Sequence, residues 1–219
     1  MKLSKVIASG WFAVVVIAAG ILIRAAGLGQ LPLSEREAGA ALQVFQLAEG
    51  QAHSIPANAL FSLFTELVFS FTGSGDIAAR LLSFLTGALF LFLPLLARKQ
   101  IGATAAGILC FLLAFDPALI SASITALSPM PAIFFLGLML LAFGRGRLVI
   151  AGIVTALFFL SGLSAWLALL IGLAMLLVSY LTTPKGEESP GWIARWSAVM
   201  RSRPYGISVV ASLLLIGTG

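Results

Sequence analysis

The sequence predicts an all-α, polytopic transmembrane helical bundle of about six to seven spans, with a long first external loop that carries two juxtamembrane helices. Three observations predict it. Sixty per cent of the 219 residues are hydrophobic and 10% are charged, against roughly 25% charged in an average soluble domain. Residues 6–23, 81–97, 103–115, 132–143, 148–160 and 163–181 form almost uncharged runs, and several reach or approach the ~20 residues that cross ~30 Å of hydrocarbon. The basic residues fall in short clusters between those runs, as positive-inside bias requires. That bias accounts for a pI near 10 better than nucleic-acid binding does. The single cysteine, Cys110, lies inside an apolar run and excludes an intrachain disulfide.

The elements follow in chain order. Lys2 and Lys5 make a positive n-region, but the apolar stretch after them is long for a signal-peptide core. Arg24 closes it with no clear cleavage site beyond. The segment therefore reads as an uncleaved signal anchor with a cytoplasmic N-terminus. Threaded from there, residues 25–76 form the external loop, and 81–97 returns to an inside turn holding Arg98 and Lys99. Residues 102–116 lead out, and 129–144 come back to Arg145 and Arg147. A fifth and sixth helix turn outside near Ser161 and Gly162, 183–204 is a cytoplasmic loop, and a seventh helix begins near Gly206. Only about 14 residues of that helix precede Gly219, too few to span, so the natural sequence is expected to continue. The whole of 1–219 is read as a single transmembrane domain. This threading puts ten of the thirteen Lys and Arg inside and six of the eight acids outside; the inverse topology would reverse both biases.

Within the loop, Ser34-Glu35-Arg36-Glu37 has the Ser-x-x-Glu spacing of a capping box. Ala38, Ala41, Leu42, Phe45 and Ala48 follow at helical spacing, and Gly50 suits a C-terminal cap. Gln43, Gln46 and Glu49 supply a polar side, so the segment reads as an amphipathic helix along the membrane interface. After Pro56 a second helix spans about 57–72, with Glu66 among aromatic neighbours, and residues 73–76 turn into the next span. Residues 182–190 read as a polar hinge. Residues 192–203 alternate aromatic and basic side chains, the pattern of a cytoplasmic segment touching anionic lipid.

No Walker loop, Gly-x-Ser-x-Gly, zinc spacing or second histidine is present. The chemical candidates are ionisable residues near hydrocarbon. Glu35 and Glu37 are placed to act as general base on an acceptor hydroxyl or to bind a metal ion; the competing account makes Glu37 a cap and Glu35 a dipole partner. On the capping account, glutamine at position 37 is expected to leave folding nearly intact. Glu66 either works in a site or pairs with Arg80 or Arg24. Asp116-Pro117 either contributes an acid or starts a turn. Arg24 and Arg80 either snorkel from helix ends or grip the phosphate of a lipid-linked donor. His53 reads as a substrate-site candidate or a solvated loop residue. Among the spans, neither an inverted repeat nor a broken helix of the transporter kind is evident.

The order of features resembles the N-terminal half of GT-C class membrane glycosyltransferases, in the protein O-mannosyltransferase and aminoarabinose-transferase-like superfamily. The matching residues are Arg24-Ala-Ala-Gly-Leu before Leu31-Pro-Leu, and Glu37-Ala38 opening a helix that closes at Ala48-Glu-Gly50. Then come Pro56, Phe71-Thr-Gly73, Ala78-Ala-Arg80-Leu-Leu-Ser83, Gly87 and Ala114-Phe-Asp116-Pro117. They cover roughly residues 10–145. The resemblance implies transfer of a sugar from a polyprenyl-phosphate donor to an acceptor on the external face of a bacterial inner membrane; the cofactor is left open, with Glu35 and Glu37 able to hold a divalent metal. The family's Asp-Glu pair aligns with Arg36-Glu37, so the catalytic carboxylate is expected to be Glu37 first and Glu35 second. Residues 121–128 lack the family's Ser-Arg and acid. A non-catalytic membrane subunit that keeps the fold and packs on a partner protein is the first alternative, and a small transporter the second.

Overall fold

The computed structural model describes residues 10–30, 32–51, 58–162 and 166. Every regular element among them is α-helical: α1 Gly10–Gly27, α2 Glu35–Ala48, α3 Ala59–Thr72, α4 Asp76–Phe90, α5 Leu93–Ile101, α6 Ala103–Phe115, α7 Pro117–Ile124, α8 Met130–Gly144 and α9 Leu148–Leu160. The expected second hairpin helix, the hinge, the cytoplasmic loop, the seventh helix and His53 lie outside the described residues.

Two helices are long and apolar enough to cross a membrane: α1, with 18 residues, and the continuous stretch Asp76–Ile101, with 26. At 1.5 Å per residue these are about 27 and 39 Å long. A third candidate is the pair α6–α7, bent by 58°. The apolar helices α3, α8 and α9 are shorter. By length and composition, then, the described chain holds two or three spans.

Each helix buries the face its spacing dictates. On α1 the buried residues are Ala13, Val16, Ile17, Gly20 and Arg24, one stripe at helical period. That stripe packs on α6 through Val16, Ile17, Leu91, Cys110 and Ala114. Gly20 is needed there, because a Cβ would meet the Ala114 Cβ at 3.0 Å. Gly87 on α4 plays the same part against α7: a Cβ would fall 2.7 Å from the Ser123 Cβ. The α8–α9 hairpin packs through Ala132 and Phe158.

The loop helices are folded against the bundle. Val44 of α2, Phe61 and Phe69 of α3, Ala79 and Leu82 of α4, and Ala126 share one core. The capping box at Ser34 and Glu37 forms as the sequence predicts. Gly50, at φ 72°, closes α2 with Gln51 N–H on the Gln46 carbonyl and Gly50 N–H on the Leu47 carbonyl, a Schellman motif. Against the bundle, α2 buries a second face. It runs through Glu37, Ala40, Ala41 and Val44, while Ala38, Leu42, Phe45 and Ala48 are exposed. The helix has two apolar stripes, and the one beside its capping carboxylate is the one that docks.

Proline decides the remaining break. Pro117 offers no N–H, so the Leu113 carbonyl loses its helical partner. Asp116 then caps α7, its Oδ1 accepting from Ala118 N at 2.8 Å and Leu119 N at 3.2 Å, which diverts the Ala118 donor from Ala114. The Asp-Pro step is thus a helix start as well as a turn, and it bends the α6–α7 pair by 58°.

Candidate functional site

Two buried nodes hold three of the sequence-predicted residues, Arg24, Glu37 and Arg80, at the end of the bundle where α1 ends and α4 begins. The first is Arg24, with 0% of its surface exposed. Its Nε donates to Ser123 Oγ at 3.1 Å. Nη1 donates to the carbonyls of Gly20, at 3.0 Å, and Ala114, at 3.1 Å; Nη2 donates to that of Leu113, at 3.0 Å. The two carbonyls that Pro117 and Asp116 orphan are therefore both capped by one guanidinium. A cation at a helix C-terminus also complements the dipole of α6. Arg24 points into the bundle, so the snorkelling account is overturned: its donors meet carbonyls of the fold rather than headgroups or water.

The second node is Glu37, 6% exposed, with Arg80, 3% exposed. Glu37 Oε2 accepts from Ser34 N and Ser34 Oγ, each at 2.9 Å. Arg80 Nη2 lies 3.5 Å from the same oxygen, and Ala126 N–H donates to Oε1. Arg80 also donates to the Leu28 carbonyl at 3.2 Å and the Pro32 carbonyl at 3.0 Å. Ser83 Oγ donates to the Ala126 carbonyl at 3.1 Å, fixing the turn after α7 from its other side. One carboxylate and one guanidinium thus tie together the exit of α1, the start of α2, the first turns of α4 and the turn after α7.

Electrostatics follow the geometry. Burial pushes the Glu37 carboxyl up, but the backbone donors Ser34 and Ala126, the Ser34 hydroxyl and the Arg80 charge outweigh it. The group ends below the ordinary carboxylate range. A buried, depressed carboxylate that already accepts on both oxygens is a weak proton acceptor.

The other candidates are placed apart from these nodes. Glu35 and Arg36 are exposed on the first turn of α2. Glu66 is half-buried on α3 and makes no ion pair among the described residues: Arg80 is engaged by Glu37, and Arg24 by carbonyls. Asp116 is exposed and engaged as the cap of α7. Asp76, which sequence reasoning used only as an external charge, is the one charged residue lining an open cleft of about 490 Å³, whose wall includes Gly29, Thr72 and Ser74 over Val68 and Leu81. Its sequence signal was the polar Thr-Gly-Ser-Gly-Asp run between two apolar helices. Among the described residues, no three His, Cys, Asp or Glu side chains group closely enough to hold a metal ion.

Compared with known proteins, the chain matches no protein-family model, no curated protein and no solved structure.

Proposed function

We propose that this chain is a membrane transferase module that moves a sugar from a polyprenyl-phosphate donor to an acceptor at the end of the bundle carrying Glu35, Glu37 and Asp76. The observation that carries the reading is the Glu37–Arg80 node, which holds the loop helix α2 rigidly over that end. A rigid external loop bearing an accessible acid is what such a transfer needs. The node also reassigns the roles. Glu37, buried and depressed, is a positioning residue, and Glu35, exposed two residues earlier, is the base. Arg24 and Arg80 are engaged within the fold, which leaves Arg36 beside Glu35 to meet the phosphate. In the step, Glu35 takes the proton of an acceptor hydroxyl as its oxygen bonds to the anomeric carbon. The carbon–oxygen bond to phosphate breaks, and polyprenyl phosphate leaves with the electron pair.

With sugar transfer from a polyprenyl-phosphate donor as the assay, Glu35→Gln is expected to lower turnover by about 10²–10⁴-fold, the size of a general-base contribution, with the melting temperature unchanged. Wild-type turnover in that variant would end the mechanism. The burial of Glu37 favours a second reading, a non-catalytic membrane subunit in which both nodes serve the fold alone. A protein without transferase activity that co-purifies with another membrane chain would establish it. The transporter reading loses ground at the broken helix, because the carbonyls such a break offers a cation are occupied by Arg24.

The proposal places the protein in a bacterial inner membrane with a cytoplasmic N-terminus, α2 and α3 outside, and Arg98, Lys99, Arg145 and Arg147 inside. Single cysteines at Gln51 and Ser189, in a Cys110→Ala background, are expected to label oppositely with an impermeant thiol reagent in sealed cells. External labelling at Ser189 would invert the threading.

A further inference from the structure

The opposite end of the bundle gathers positive charge that neither node uses. Arg98 and Lys99 occupy the last turn of α5, and Arg145 and Arg147 follow α8. The two ends meet: α5 packs on α8, an Arg145 Nη2 donates to the Leu96 carbonyl, and Gln100 packs against Gly144. All four cations are exposed.

The surroundings of these cations identify what they fit. Leu96 and Ile101 flank Arg98 and Lys99, and Val149 and Ile150 follow Arg147; all four aliphatic side chains are exposed, Val149 to 78%. A free anion engages the charge alone. An amphiphile with a phosphate head and acyl chains satisfies both at once. We infer that this end of the α5–α8–α9 group is a docking surface for anionic phospholipid. Arg98, Lys99 and Arg147 hold the headgroup phosphate, and the chains lie along Leu96, Val149 and Ile150. Arg145 contributes charge while joining α8 to α5. The inference does not depend on the transferase reading.

The test uses purified protein in nanodiscs of phosphatidylcholine containing a minor fraction of spin-labelled phosphatidylglycerol or, in a parallel sample, spin-labelled phosphatidylcholine. The expected result is enrichment of the phosphatidylglycerol label around the protein and none of the phosphatidylcholine label. In the triple variant Arg98→Gln/Lys99→Gln/Arg147→Gln, relative association should fall about fivefold for each cation removed at low salt. The charge-keeping variant Arg98→Lys/Arg147→Lys should retain it, which separates charge from any effect on folding. Equal enrichment of both labels, unchanged association in the triple variant, or equal loss in the charge-keeping variant would each overturn the inference. So would abolition of the enrichment by millimolar inorganic phosphate, which would assign the cations to a free anion.

Discussion

Arg24→Met is expected to destabilise the protein by about 3 kcal/mol or more, the range in which removal of one partner leaves buried polar groups unpaired. The physical cause is the pair of carbonyls at Leu113 and Ala114, which Pro117 and the Asp116 cap leave without backbone donors. Methionine fits the apolar stripe of α1 but donates nothing to them, nor to Ser123. Arg24→Lys should recover only part of the loss, because an ammonium is a compact point charge and lacks the planar fork that reaches three backbone carbonyls and a hydroxyl together. Adding Pro117→Ala to Arg24→Met should also recover part of it, since residue 117 then has an N–H to offer Leu113. Thermal unfolding of the purified variants in detergent measures all three. If Arg24→Met melts with the wild type, the capping role is wrong.

The Glu37 node yields the second large effect. Local spacing suggested that glutamine would cap α2 nearly as well as glutamate, and the tertiary contacts overturn that expectation. Both carboxylate oxygens accept from N–H donors: Oε2 from Ser34 and Arg80, and Oε1 from Ala126. A glutamine amide must point its NH2 at one of these donors whichever way it is turned. Glu37→Gln is therefore expected to cost about 3 kcal/mol. The pH dependence has a definite sign. The folded-state carboxyl is held below its unfolded value, so the stability it contributes is fully present above the ordinary glutamate range, near 4.3. It is lost as pH falls through the lowered folded value. The wild-type melting temperature should fall over that acid window, and the fall should be shallower in Glu37→Gln. Parallel profiles for the two proteins would remove Glu37 from the linkage.

What the sequence made legible was local. The Ser34–Glu37 box, the Gly50 terminator, and the ends of α6 and α8 follow from short-range spacing and lie where that spacing puts them. The helix α7 was legible too, through Asp116 as cap and Pro117 at the first helical position; reading the pair only as a turn missed it. Two features were out of reach. Nothing near Glu37 announces that its second oxygen meets Ala126, 89 positions away. Nor does anything near Arg24 say that it turns inward, because that direction depends on carbonyls freed by a proline in another helix. On α2 the stripe read along the interface, Ala38, Leu42, Phe45 and Ala48, is exposed, while a second face, beside Glu37, docks on the bundle. Of the candidate residues, Arg24, Glu37 and Arg80 enter the two nodes, while Glu35, Glu66 and Asp116 stand apart from them.

The capped break has a consequence for how the chain is made. α1, long and apolar enough to cross a membrane, is synthesised carrying a guanidinium whose acceptors Leu113, Ala114 and Ser123 come 89, 90 and 99 positions later. Until then only the Gly20 carbonyl, on the same helix, is at hand. At about 5–20 residues per second of synthesis, the nascent first helix waits on the order of 5–20 s with most of its cation's hydrogen bonds unmade. During that interval it must be sheltered by the insertion machinery or stay near the interface. A ribosome stalled before α6 would leave α1 with one of the four acceptors of its guanidinium in place.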